Sequence, residues 1–187
     1  MHHLLIVACS TRPTRIGYPL VTWAAERAKL DGRFTVEIAD LRELALPNFD
    51  EPHHPRSRRY EHEHTKRWSR IVERADGIVF VTPEYNHGYP GALKNAIDFL
   101  HEEWKFKPAA FISYGGVAAG TRAVQMIKPV LDCLRMISVY DGVNIAYAME
   151  ALANDRFAST GVHEEAATSM FNTIAFWADH NRQLYVR

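Results

Sequence analysis

The stretch GIVFVTPEYNHGYPGALKNAIDFL, residues Gly77 to Leu100, carries three kinds of structure in succession. In Gly77 to Thr82 the glycine is followed by an unbroken run of β-branched and aromatic residues, the pattern of a strand covered on both faces. Pro83 to Pro90 sets a carboxylate, a phenol, an amide and an imidazole among turn-forming residues. From Gly91 the chain reads as a helix, predicted to run to Trp104. Strand, polar loop and helix in that order are the repeating unit of an α/β fold.

The unit recurs on both sides of this stretch. Strands are predicted at His3–Cys9, Phe34–Asp40, Ala109–Gly116 and Ser138–Ala148, and helices at Gly17–Leu30, His64–Asp76, Ala118–Met136 and His163–Leu184. Pro129 should kink or shorten the fourth helix. Five βα repeats with short linkers predict an α/β doubly wound, five-stranded parallel sheet of order 2-1-3-4-5, with helices on both faces and residues 1–187 forming a single domain. The one long irregular segment runs from Leu44 to His62 and carries Pro47, Pro52 and Pro55. It follows the second strand, so it should leave the carboxyl edge of the sheet, where long loops tend to be functional.

The totals exclude several classes. A chain of 187 residues with 47% hydrophobic and 24% charged residues has the make-up of an ordinary soluble globular protein. Lys and Arg (22) balance Asp and Glu (22), which argues against nucleic acid as the main partner and against a strongly acidic electron carrier. Two cysteines, Cys9 and Cys133, make no disulfide framework and are expected reduced and buried. The apolar run near the N-terminus is too short for a signal or membrane segment, so no membrane partner and a cytoplasmic location are expected.

In an open α/β sheet a ligand binds outside the carboxyl ends of the strands, where the strand order reverses. Three unusual loops converge there: CSTRPTRIG after the first strand, TPEYNHGYPG after the third and SYGGVAAG after the fourth. The first suits a phosphate. Ser10 and Thr11 offer hydroxyls, Arg12 and Arg15 offer guanidinium forks, and Gly17 opens a helix with free N–H groups. Neither a Walker A loop nor a dinucleotide fingerprint is present, which leaves a mononucleotide. In the third loop Ser113, Gly115 and Gly116 let the backbone approach a flat ligand closely.

The motifs STRPTRIG, PEYNHGYPGALKNAIDFL and SYGGVAAGTRAVQMIKPVL resemble those of the NAD(P)H-dependent FMN reductases and their quinone, azo-dye and chromate reductase relatives, all flavodoxin-like; the resemblance covers roughly residues 3 to 145. It implies that Ser10, Arg12, Arg15, Ile16 and Gly17 hold the phosphate of bound FMN. It implies that Pro83, Glu84, Tyr85 and Asn86 line the ribityl chain and the ring, and that Ser113, Gly115 and Gly116 border its other side. It further implies a homodimer or homotetramer. Two departures stand out: Cys9 where the family often has glycine, and Ala119-Gly120 where relatives show a glycine pair.

Such a protein would pass a hydride from NAD(P)H to FMN and then two electrons to a small acceptor (quinone, flavin, azo compound or metal oxyanion) by a ping-pong cycle. The chemistry is the cofactor's own. No residue is therefore assigned a catalytic role, and the N–H groups of Gly115 and Gly116 are expected to supply positive potential at the ring edge. Glu84 is read as a loop brace rather than an acid/base partner of His87. His53, His54, His62 and His64 lack metal-ligand spacing, so no metal is expected. Arg56, Arg58 and Arg59 are candidates for the nicotinamide phosphates. The alternative function is a flavodoxin-type electron-transfer protein or a flavin-binding sensor without significant NAD(P)H turnover.

Overall fold

The computed structural model describes residues 1–181. Five parallel strands form the sheet: β1 (His2–Ala8), β2 (Phe34–Asp40), β3 (Gly77–Pro83), β4 (Pro108–Tyr114) and β5 (Ile137–Ile145), in the order β2-β1-β3-β4-β5. The helices are α1 (Tyr18–Asp31), the single turn α2 (Leu41–Leu44), α3 (Glu63–Arg74), α4 (Gly91–Asp98), α5 (Thr121–Cys133) and α6 (Gly161–Asn181). A two-stranded ribbon, β6 (Leu152–Ala153) and β7 (Arg156–Phe157), precedes α6. This is the predicted topology. Residues 182–184, where the last predicted helix was to end, lie outside the described residues.

Alternation along the strands divides the core into two layers. Leu4, Ile6 and Ala8 of β1 pack with Val79, Val81, Ala110 and Ile112 beneath α1 and α6. Leu5, Val7 and Cys9 face the other way, with Ile78, Phe80, Phe111 and the indoles of Trp68 and Trp104. Both indoles are fully buried, and their N–H groups donate to the carbonyl oxygens of Ala96 (2.7 Å) and Ile97 (3.1 Å).

Three expectations need correction. The helix predicted from Gly91 to Trp104 stops at Asp98, and Glu102–Trp104 is a separate 3-10 turn. Phe99, Leu100 and Trp104 are all buried, and the Trp104 indole must fold back onto Ile97, which a continuous helix would not allow. The helix predicted over Ala118–Met136 spans only Thr121–Cys133, with Pro129 inside it; it starts late because Ala119 and Gly120 take left-handed conformations (φ 53° and 77°). Cys133 is exposed at the end of that helix, whereas Cys9 is buried as expected.

The register fixes which side chains meet at the carboxyl edge. Ala8 lies opposite Asp40 on one side and Val81 on the other, and Pro83 lies opposite Tyr114. The long loop after β2 is strapped down beside α3 and α4. The Asn95 side chain donates to the Pro47 carbonyl (2.7 Å) and accepts from the Phe49 N–H (2.9 Å). The Glu51 carboxylate closes its base on the N–H groups of Glu61 and His62 (2.8 and 3.1 Å). Among the described residues, no helix is long and apolar enough to cross a membrane.

Candidate functional site

At the switch point between β1 and β3 the three loops surround a cleft of about 380 Å³. It is lined by Ser10, Arg12, Thr14, Arg15 and Ile16 from the first loop, Pro83 to Tyr85 from the second, and Tyr114, Gly115 and Met149.

The first loop is a run of unused donors. The Cys9 N–H still belongs to the sheet, donating to the Val81 carbonyl at 3.1 Å. Beyond it, the backbone N–H groups of Ser10, Thr11, Arg12, Thr14, Arg15 and Ile16 have no protein acceptor among the described residues. Neighbouring free N–H groups ahead of a helix N-terminus form an anion cradle. Arg12 is exposed and makes no ion pair among the described residues. Arg15 is placed differently: its guanidinium lies against the Asp40 carboxylate, with Nη1 to Oδ1 at 2.5 Å and Nη2 to Oδ2 alongside. Hydrogen bonding to Asp40 raises the Arg15 pKa still further above its ordinary range.

The second loop is a tight hairpin. The N–H of Tyr85 donates to the Gly88 carbonyl (2.8 Å) and that of Gly88 to the Tyr85 carbonyl (2.9 Å), with Asn86 and His87 at φ 49° and 68° between them. Two consecutive positive φ values define a type I′ turn, which Asn tolerates well at the first position. Asn86 and His87 are thus carried to the exposed tip, outside the cleft lining. Glu84 turns its carboxylate to α5, accepting from the Arg122 backbone N–H (3.2 Å) and from Nε (2.5 Å). It braces the second loop against the third, as expected. Tyr85 crosses the cleft, its hydroxyl 2.8 Å from Ser10 Oγ.

The third loop is locked by short contacts. Gly120, at φ 77°, passes so near β4 that a Cβ there would lie 2.7 Å from the Tyr114 nitrogen and 2.9 Å from its oxygen. Ser113 is fully buried; its hydroxyl donates to the Ala119 carbonyl (2.8 Å) and sits 2.8 Å from the Asn144 side-chain amide, so it fastens the turn instead of lining the cleft. The Gly115 N–H donates to the Ile145 carbonyl (3.2 Å), prolonging the β4–β5 pairing. Of the two N–H groups expected at a ring edge, only that of Gly116 has no protein acceptor among the described residues. Gly17 and Gly116 also lie outside the lining, Gly17 because the Tyr114 phenol packs beneath it.

Sequence reading missed Tyr114, Met149 and Asp40. Tyr114 sits inside a quoted motif, and burial pushes its phenol well above the ordinary tyrosine range, so it is a neutral hydroxyl under the loop. Met149 arrives from beyond β5 with no local pattern to mark it. Arg58, a candidate for nicotinamide phosphates, is held by Glu73 (2.6 Å) and lies 3.5 Å from the buried Glu103. Two of the four loop histidines pair with carboxylates, His53 with Glu61 (3.3 Å) and His64 with Asp50 (3.0 Å), and the His54 ring accepts the Arg56 N–H (3.1 Å). No three of His, Cys, Asp or Glu are gathered as metal ligands among the described residues.

Sheet order, switch-point cleft and anion cradle define a flavodoxin-like, mononucleotide-binding class of α/β protein. Residues 2–150 match the family described as NADPH-dependent FMN reductase. The chain is 42% identical over 135 residues to an NAD(P)H-dependent FMN reductase of Schizosaccharomyces pombe, covering 71% of this chain and 67% of that one. It is 40% identical over 144 residues to one of Saccharomyces cerevisiae, covering 73% and 74%. Shorter matches reach a quinone reductase of Pseudomonas putida and an NADPH azoreductase of a Bacillus strain. The fold superimposes on FerB, a flavoenzyme NAD(P)H:(acceptor) oxidoreductase from Paracoccus denitrificans, with TM-score 0.75 at 24% identity over 96% of this chain and 98% of that one. The chain belongs to the NADPH-dependent FMN reductase family: it is an oxidoreductase of the type that uses FMN, with NAD(P)H as electron donor.

Proposed function

We propose that the chain works as one domain that holds FMN in the switch-point cleft and runs a ping-pong cycle from NAD(P)H to a small acceptor. A quinone, free flavin, azo compound or metal oxyanion would fill that last role. The observation that carries the reading is the run of N–H groups on either side of Pro13, from Ser10 to Ile16, that have no protein acceptor among the described residues, with the Arg12 guanidinium in their midst at the mouth of the cleft.

The donor set fits the cofactor. Main-chain N–H groups and the Arg12 guanidinium suit a terminal phosphomonoester. Pro83, Tyr85, Gly115 and Met149 offer flat or apolar walls for a ring system. When bound, FMN supplies hydride acceptance and electron donation. The chain's part is to anchor the phosphate, to leave one ring face open to both substrates in turn, and to limit water through the Tyr85 and Met149 walls. The Gly116 N–H is left to stabilise negative charge at the ring edge. A homodimer or homotetramer in the cytoplasm completes the reading.

The test is an absorbance spectrum of the protein equilibrated with FMN and desalted, taken before and after anaerobic NADPH. Retained flavin that bleaches on NADPH is expected, and absence of retained flavin overturns the reading. Initial rates with NADPH and menadione varied together should give parallel double-reciprocal lines; intersecting lines remove the ping-pong order.

A further inference from the structure

Asp40 stands outside every motif that marks the cleft. The β1–β2 register sets it opposite Ala8, immediately beside the start of the first loop. Its side chain is 9% exposed, and that of its partner Arg15 is 11% exposed. Arg15 has two further attachments. Its Nη1 donates to the Ser10 carbonyl at 3.0 Å, and its guanidinium carbon lies 5.0 Å from the centroid of the Tyr18 ring. One guanidinium therefore ties the end of β2 to the first residue of the loop and to the first residue of α1.

A guanidinium paired in this bidentate way contributes geometry more than charge. The pair is neutral overall, and a phosphomonoester brought against it would also meet the Asp40 carboxylate. Arg12, with no carboxylate partner among the described residues, keeps its full charge. We propose that Asp40 is a positioning residue of the phosphate loop, acting through Arg15, and that Arg12 alone is the loop's charged ligand for the phosphate. The second half of this statement rests on the FMN reading of the cleft.

Asp40→Asn isolates the pair, because asparagine still accepts the Arg42 N–H (3.0 Å) that caps α2. Limited trypsin digestion of the FMN-free protein reads the brace directly. The bond after Arg12 precedes Pro13 and resists trypsin, so cleavage at Arg15–Ile16 reports the loop on its own. Asp40→Asn should be cut there about tenfold faster with little change in melting temperature. FMN titration by flavin fluorescence, at low and high salt, reads the ligand. Asp40→Asn should bind about tenfold more weakly with the wild-type salt dependence, whereas Arg12→Gln should bind more weakly and lose part of that dependence.

Tighter FMN binding by Asp40→Asn would overturn the proposal, since that is what a phosphate-ligating Arg15 freed from its partner would give. Unchanged cleavage at Arg15 would overturn it as well. Faster cleavage in a protein whose wild type binds no FMN would support the brace and refute the flavin reading, which keeps the two apart. Should Asp40→Asn fail to fold, Arg15→Lys takes its place: the single ammonium cannot make the bidentate pair, and the same weakening of FMN binding is expected.

Discussion

Replacing Gly17 by alanine puts a methyl group where the Tyr114 phenol already lies. An ideal Cβ at Gly17 falls 2.6 Å from Tyr114 Cζ and 2.9 Å from Cε1, with the phenolic oxygen nearer still. The Gly17 backbone is at φ −78° and ψ −16°, so alanine meets no conformational penalty there. On chain entropy alone the substitution should stabilise by about 0.4–1 kcal/mol. Against that stands a buried ring, 4% exposed and packed between the phosphate loop and the glycine turn, which has to shift. Overpacking of this kind costs roughly 1–3 kcal/mol. The contact wins, and a net loss of about 1–2 kcal/mol should lower the melting temperature by roughly 2–8 °C for a domain of this size. FMN affinity should fall too, because the displaced phenol pushes the loop from below. Thermal melts of the FMN-free protein and flavin titration measure both effects. A double-mutant cycle isolates the cause: with Tyr114→Leu in place, Gly17→Ala should cost little or nothing. A single Gly17→Ala variant that melts at or above the wild type would refute the reasoning.

Gly120→Ala carries backbone strain (φ 77°) as well as a 2.7 Å approach to the Tyr114 nitrogen, so it should destabilise by about 2–4 kcal/mol in urea unfolding; a loss under 1 kcal/mol would contradict the placement. Glu84→Gln keeps an acceptor for the Arg122 N–H and should leave the rate of flavin reduction by NADPH within about tenfold in stopped-flow traces, whereas a general acid/base role predicts a far larger drop. Lys107 is buried, with its Nζ on the carbonyl oxygens of Val72 and Glu73, and burial pushes its pKa down to about 8. Between pH 8 and about 10 the unfolded chain therefore binds more protons than the folded one, and stability should rise with pH in that window, by up to about 3 kcal/mol. Above that, Tyr60 and Tyr114 reverse the trend, because burial holds both phenols protonated while the unfolded tyrosines ionise. Urea melts across the window should show the rise in wild type and its loss in Lys107→Met.

The FMN-reductase family and the flavodoxin-like topology were legible because both rest on short-range pattern. The Gly77–Thr82 run reads as a doubly covered strand, the loop after it carries its own turn chemistry, and alternation of such units points to a parallel sheet and a carboxyl edge where three loops meet. Even the Asn-His-Gly order at the hairpin tip is a local fact, although its consequence, that Asn86 points away from the cleft, follows only once the two positive φ values are seen. What tertiary structure decided is where each polar group finds its partner. Arg12 and Arg15 look alike in the string STRPTRIG, yet the strand register brings Asp40 to Arg15 and leaves Arg12 without a carboxylate partner among the described residues. Gly115 and Gly116 are adjacent, yet β5 takes the N–H of the first. Hydrophobic period sets the strands and helices one at a time, residue against neighbour. The fate of a buried charge or an N–H depends on atoms brought from tens of residues away, since none can be left without a partner at little cost.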